Sequence, residues 1–183
     1  MGGPMARHLA DKGHDVTVYN RSVDKARAWV EAHRGQTAAT PKAAATHAEI
    51  VFMCVGNDHD VRAVALGPDG ILAGLQPGAI LVDHTTASAD VARELAAACE
   101  GIGVGFVDAP VSGGQAGAQN GTLTVMCGGD PAVFEQAKPV IMSYAKACEL
   151  LGPAGAGQLA KMVNQICIAG IVQGLAEGVN FAQ

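Results

Sequence analysis

A chain of 183 residues with a formal net charge of −5 and 49% hydrophobic residues has room for one sizeable core, or one domain with an appendage. Twelve basic against seventeen acidic residues leave no basic stripe for nucleic acid, and no unbroken run of about 18 apolar residues marks a membrane span. Cys54, Cys99, Cys127, Cys148 and Cys167 are scattered without a C-x-x-C, which fits buried reduced thiols of a cytoplasmic protein rather than disulfides or metal ligands.

Arg7, His8, Asp11 and Lys12 put charge where a secretory signal needs an apolar stretch. Pro4 to Lys12 suits a helix, with proline in its first turn and Gly13 as its stop. Asp15 to Tyr19 is a short β-type run, and Ser22 is placed to cap a helix reaching about Ala32. A short strand over Gln36 to Thr40 and a small helix over Pro41 to His47 follow. Ile50 to Val55 is nearly continuously apolar, as a strand buried on both faces should be. Asp58 to Leu66 reads as a helix, and Gly67-Pro68-Asp69-Gly70 as a turn. Ala79 to Val82 is a second buried strand ending at Asp83, and Ser88 caps a helix over Ala89 to Glu100. Gly105 to Val107 is a third such strand, running into Asp108-Ala109-Pro110. Strands that alternate with helices but lack in–out alternation predict a parallel sheet covered on both faces.

After Val111 the pattern changes. A glycine-rich loop from Ser112 to Gly121 precedes a strand over Leu123 to Cys127, a helix over Pro131 to Tyr144 and a strand over Ala147 to Leu151. The turn Gly152 to Gly157 launches a helix running to Gln183. It is apolar most of the way round, which predicts burial against something this chain has little left to supply.

Three stretches carry chemistry. At the end of a second strand, Asn20-Arg21-Ser22 suits the adenosine ribose of a dinucleotide, where arginine receives a 2′-phosphate and an acidic residue would bind a 2′-hydroxyl. With Lys25 one turn along, this favours NADP over NAD, although an ordinary surface arginine fits the same residues. In Asp108-Ala109-Pro110-Val111-Ser112-Gly113-Gly114, a serine hydroxyl and consecutive glycine amides could cradle a carboxylate or phosphate, or simply form a tight turn. Finally, Lys161, Asn164 and Gln165 share one face near the start of the last helix. A lysine in an apolar helix needs partners or a task, and one task is proton exchange with a substrate hydroxyl; snorkelling to the surface is the other reading.

In order and spacing, these stretches resemble the β-hydroxyacid dehydrogenases, the group of 3-hydroxyisobutyrate dehydrogenase and tartronate semialdehyde reductase, related to 6-phosphogluconate dehydrogenase. Met1-Gly2 look like the end of that family's G-x-G-x-M-G loop, and Asp83-His84-Thr85-Thr86 resembles its D-x-S-T segment with threonine for serine at 85. Residues 108–114, with Gly117-Ala118 and Gly121 to Thr124, match its substrate signature, and Gly157 to Gln165 its catalytic helix. The resemblance implies an α/β fold: a Rossmann-type, doubly wound, mostly parallel sheet lacking its first strand, over residues 1–153. Residues 154–183 would begin a long interdomain helix leading to an all-helical domain, so the chain is expected to be an impaired fragment of a homo-oligomeric parent.

The implied activity is hydride transfer between NADP, or NAD, and a short 3-hydroxy acid or its semialdehyde. Lys161 would be the general acid–base; Ser112, Gly113, Gly114, Asn164 and Gln165 would bind substrate. Gly2, Asn20, Arg21, Ser22, Cys54, Val55 and Thr86 would line the cofactor. Lys161 argues against the two other readings of this fold, an imine reductase and a non-catalytic dinucleotide-binding module. No metal, nucleic acid or membrane partner is expected.

Overall fold

In the computed structural model, which describes residues 1–183, eight α-helices and eight strands alternate along the chain. The first part comprises α1 (Gly2–Asp11), β1 (Thr17–Val18), α2 (Val23–Ala32), β2 (Gln36–Thr37) and α3 (Pro41–Ala45). Then come β3 (Ile50–Met53), α4 (Asp58–Leu66), β4 (Ile80–Asp83), α5 (Ala89–Glu100), β5 (Gly105–Asp108) and β6 (Val111–Ser112). The chain ends with α6 (Gly114–Asn120), β7 (Leu123–Gly129), α7 (Pro131–Ile141), β8 (Ala145–Leu150) and α8 (Ala156–Ala182).

β1 and β2 pair in parallel as a two-stranded sheet of their own, apart from a six-stranded sheet built on β3, β4, β5 and β7. β3, β4 and β5 are parallel, in register Met53↔Asp83 and Asp83↔Asp108. β7 runs antiparallel to β5 and then to β6, while β8 takes its other edge in parallel. The expected doubly wound, parallel-rich sheet is therefore present, with β7 and β8 reversed. The link between β6 and β7 holds only the short helix α6, less than the crossover connection a parallel pair needs, so β7 returns antiparallel to β6.

Alternation of side chains places Ile80, Val82 and Val107 in one core cluster, with Met5 and Leu9 of α1 and Phe134, Ala137 and Ile141 of α7. Leu81 and Phe106 point into the other, against Val61 and Ala65 of α4 and Val91, Ala92, Leu95 and Cys99 of α5. Both faces are covered, so β4 is buried throughout and reads as apolar up to Asp83. Ser88 caps α5 as expected, its Oγ accepting from the Val91 amide at 3.1 Å. Asp58 accepts from both the amide and the hydroxyl of Ser88, and these bonds hold its carboxyl below the usual range.

Several local expectations change. Ser22 occupies the N-cap position of α2 without a side-chain bond; instead its amide donates to Asn20 Oδ1 at 2.9 Å. Gly114–Asn120, expected as loop, is helix α6, entered through Gly113 at φ 127° and left through Gly121 at φ 66°. α7 stops at Ile141, and Tyr144 lies beyond it in the turn before β8. Cys99, Cys127 and Cys148 are buried free thiols as expected, but Cys54 is half-buried and Cys167 exposed. α8 is buried only at its foot, at Gly157, Gln158 and Lys161, whereas Ile166, Ile171, Leu175 and Phe181 are exposed, in keeping with an apolar helix that this chain has little left to cover. By length and composition alone α8 would suffice to cross a membrane. Lys161, Asn164, Gln165, Gln173 and Glu177 interrupt its apolar residues, so α8 holds no unbroken apolar run of spanning length.

Candidate functional site

Parallel strands open their C-terminal ends on one edge of the sheet, and ligands of such sheets bind outside that edge. Here the segments leaving β3, β4 and β6 meet the first turns of α8 around a cleft of about 490 Å³. Cys54, Val55 and Gly56 follow β3, His84 to Thr86 follow β4, and Val111 to Gly114 turn out of β6. Lys161 and Gln165 enter from α8, with Ile168 behind them and Met1 at the rim. A second concavity of similar volume lies along the tail of α8 between Val172 and Gln183 and carries no ionisable side chain.

Backbone and side-chain bonds fix the walls. Thr85 Oγ1 accepts from the Val55 amide at 3.0 Å, joining the ends of β3 and β4, and the Thr85 amide donates to Asp83 Oδ1 at 2.8 Å. Burial pushes the Asp83 carboxyl up to about 7, against the lowering effect of its bonds to Thr85. His84 is buried between Ala109 and Tyr144. A carbonyl only accepts, so Nδ1–H donates to Ala109 O at 2.6 Å and Nε2 accepts from the Tyr144 hydroxyl at 2.8 Å. Desolvation lowers its basicity to about 4, so the ring is neutral at ordinary pH, stacked on Phe52 at 5.8 Å. Burial also raises the Cys54 thiol, which stays protonated at the cleft wall.

Lys161 is 8% exposed and faces the cleft from the buried foot of α8. Close approach of that foot needs glycine: a Cβ at Gly157 would collide with the Met126 carbonyl oxygen and stand 2.8 Å from that of Asp108. Gly113 and Gly114, at φ 127° and 61°, turn the chain so that consecutive amides follow the Ser112 hydroxyl along the cleft.

The structure thus brings together eight of the residues singled out from sequence: Cys54, Val55, Thr86, Ser112, Gly113, Gly114, Lys161 and Gln165. Asn164 lies beside the cleft, its Nδ2 donating to Gln165 Oε1 at 3.2 Å. Gly2 sits behind the rim, where a Cβ would be 4.0 Å from that of Cys54. Asn20, Arg21 and Ser22 stand outside it. The Arg21 side chain is 87% exposed and its Nη1 lies 3.6 Å from Asp60 Oδ1. Sequence reasoning missed Gly56, His84, Thr85, Val111 and Ile168 as lining residues. Thr85 carried a signal within its quoted motif; His84 carried none, because its partners lie 25 and 60 residues away.

A dinucleotide fits the donor set. The first turn of α1 has no acidic residue and its N-cap makes no side-chain bond, and Met1 and Gly2 place that turn at the cleft rim. Uncapped amides at a helix N-terminus suit a pyrophosphate.

Comparison with known proteins agrees with this fold. The family described as the NAD binding domain of 6-phosphogluconate dehydrogenase matches residues 1–152. An uncharacterized oxidoreductase of Shewanella frigidimarina is 66% identical over 183 residues, which cover all of this chain and 63% of that protein. A probable mitochondrial 3-hydroxyisobutyrate dehydrogenase-like protein of Arabidopsis thaliana is 42% identical over 183 residues, covering all of this chain and 60% of its own. The solved 3-hydroxyisobutyrate dehydrogenase of Mycobacterium tuberculosis with L-serine superposes with a TM-score of 0.91 at 33% identity, over 97% of this chain and 60% of that one. The chain spans less than two thirds of the length of these relatives.

Proposed function

The chain belongs to the family of the NAD binding domain of 6-phosphogluconate dehydrogenase, and on that premise we propose that it serves an NAD(P)-dependent oxidoreductase acting on a short 3-hydroxy acid or its semialdehyde. The observation that carries this reading is the convergence of Lys161 with Ser112, Gly113 and Gly114 on one cleft beside Thr86, Cys54 and Val55.

In this proposal residues 1–153 are the nucleotide-binding unit and residues 154–183 begin an interdomain helix. The amides of the first turn of α1 would hold the pyrophosphate, with Cys54, Val55 and Thr86 along the remainder of the dinucleotide. When bound, the nicotinamide supplies the hydride acceptor or donor. The Ser112 hydroxyl and the Gly113 and Gly114 amides bind the substrate carboxylate, which orients the hydroxyl-bearing carbon. Lys161 Nζ takes the proton from that hydroxyl in oxidation and returns it to the carbonyl oxygen in reduction. Gln165, held by Asn164, orients the substrate hydroxyl beside Nζ. Arg21, exposed at the end of β1, would meet a 2′-phosphate, which favours NADP over NAD. The proposed setting is cytoplasmic, consistent with Cys99, Cys127 and Cys148 as buried free thiols.

The test is hydride transfer followed at the nicotinamide absorbance, with NADPH or NADH and short 3-hydroxy acids or semialdehydes. Lys161→Ala is expected to lower kcat by about 10²–10⁴-fold, the usual contribution of a general acid–base, with dinucleotide affinity retained. Full turnover by that variant, or dinucleotide binding by the full-length protein without any hydride transfer, overturns the proposal.

A further inference from the structure

Lys161 reaches the cleft from a helix whose remaining length is exposed, so something must hold its first turns in place. Gln158 lies three residues before Lys161 on the same face and is fully buried. Its Oε1 accepts from the Ala87 amide at 3.0 Å and its Nε2 donates to the Thr85 carbonyl at 2.7 Å. These partners permit only one orientation of the side-chain amide, because an N–H must meet the oxygen and a carbonyl must meet the nitrogen. At the base of the same turn, Asp108 Oδ1 accepts from the Gly155 amide at 2.7 Å and Oδ2 from the Gln158 amide at 2.9 Å. Four hydrogen bonds therefore tie the foot of α8 to two places: the end of β5, and the segment between β4 and α5.

Those two places lead directly into the two walls that Lys161 must address. Asp108 is followed by Ala109, Pro110 and the turn through Ser112 to Gly114; Thr85 and Ala87 flank Thr86. We propose that Gln158 and Asp108 are positioning residues, a clamp that sets the height of Lys161 Nζ between the Ser112–Gly114 turn and Thr86. Neither side chain lines the cleft, so the clamp acts through the helix backbone. The inference deepens the proposed function and rests on it for the role of Lys161, but the geometry it asserts can be tested without turnover.

Gln158→Leu keeps the volume and removes both side-chain bonds. In the protein without dinucleotide, acylation of Lys161 by an amine reagent, measured by mass spectrometry against exposed Lys146, should accelerate by about fivefold or more, as expected when a buried hydrogen bond no longer opposes local opening. Exchange of the Ala87 amide should accelerate with it. In turnover, kcat should fall by about 10²-fold with little change in the KM of the dinucleotide, the cost of displacing a reacting group by about 1 Å. Gln158→Glu supplies a second readout. Protonated, the introduced carboxyl can donate to Thr85 and accept from Ala87; ionised, it can only accept. Its kcat should approach wild type at low pH and fall as the carboxyl ionises, a limb absent from wild type. This variant also decides the matter should Gln158→Leu not fold. Unchanged Lys161 labelling and Ala87 exchange in folded Gln158→Leu, or a Gln158→Glu protein whose labelling shows no pH dependence beyond wild type, overturns the clamp. Altered labelling in a protein that turns over no hydroxy acid leaves the clamp standing and removes the proposed function instead.

Discussion

The six-stranded sheet and the β1–β2 pair hold their residues by different means. Val82 and Val107 are fully buried between two helical layers, and the segments leaving their strands are pinned by buried bonds to Thr85, Asp108 and Gln158. β1 and β2 are two residues each, Gln36 and Thr37 are exposed, and Arg21 meets only Asp60 at the surface. A group fixed by buried hydrogen bonds is costly to move, whereas an exposed ion pair in water is worth little and is screened by salt. Geometry should therefore be set on the sheet side and cofactor preference tuned on the β1–β2 side.

The largest effect expected from breaking this contrast is on the sheet side. Asp108→Ala leaves the Gly155 and Gln158 amides unpaired in a buried place, at about 1–3 kcal/mol for each, while removing a carboxyl whose burial opposes its own ionisation. Chemical denaturation should show a loss of that order; a change comparable to a surface substitution would mean the foot of α8 is held otherwise.

Next in size is a pH effect with a definite sign. The folded Asp83 carboxyl ionises at about 7 against 3.8 for the free group, so the native state keeps a proton that the unfolded chain releases. Its contribution to stability therefore falls as pH rises from about 4 to about 7. His84 has the opposite slope: neutral when folded down to about 4, it loses stability as pH falls from 6.5 towards 4, where the unfolded ring gains a proton. The two slopes offset each other in wild type. Asp83→Asn keeps an acceptor for the Thr85 amide and removes one slope, so stability should rise with pH between about 4 and 6.5 and exceed wild type above pH 7 by about 2–4 kcal/mol. A variant whose pH profile parallels wild type would show that Asp83 is ionised throughout.

The smallest effect belongs to the exposed side. Arg21→Ala should weaken NADPH by about fivefold, leave NADH unchanged, and lose most of its effect in high salt, as for an exposed charge pair. Equal weakening of both dinucleotides would place Arg21 away from the 2′ position.

The elements were legible where local signals agree. The apolar runs of β3 and β4, the Ser88 cap and the proline that opens α7 needed no long-range information. α6 was not legible, because Gly114 to Asn120 has poor helix propensity and is held by its capping glycines and by packing of Gly117 and Ala118. Ser22 misled in a small way: the residue type and position of a cap were right, but its hydroxyl accepts no amide of α2, and its own amide donates to Asn20 Oδ1. The apolar character of α8 and its lack of a covering partner within this chain were legible, but an apolar composition states what a helix could bury and not what lies against it.

For the site, the sequence by itself determined the inventory: a serine and two glycines after one strand, a threonine after another, and a lysine at the head of a glycine-launched helix. Their chemical types follow from covalent structure alone. The tertiary structure decided which of them share a cleft, left Arg21 outside it, and supplied the partners of His84, Asp108 and Gln158. Those bonds join residues 25 to 73 positions apart. Such contacts form only when the sheet has closed, because burial between packed layers, and not local propensity, is what makes an unpaired polar group too costly to leave without its partner.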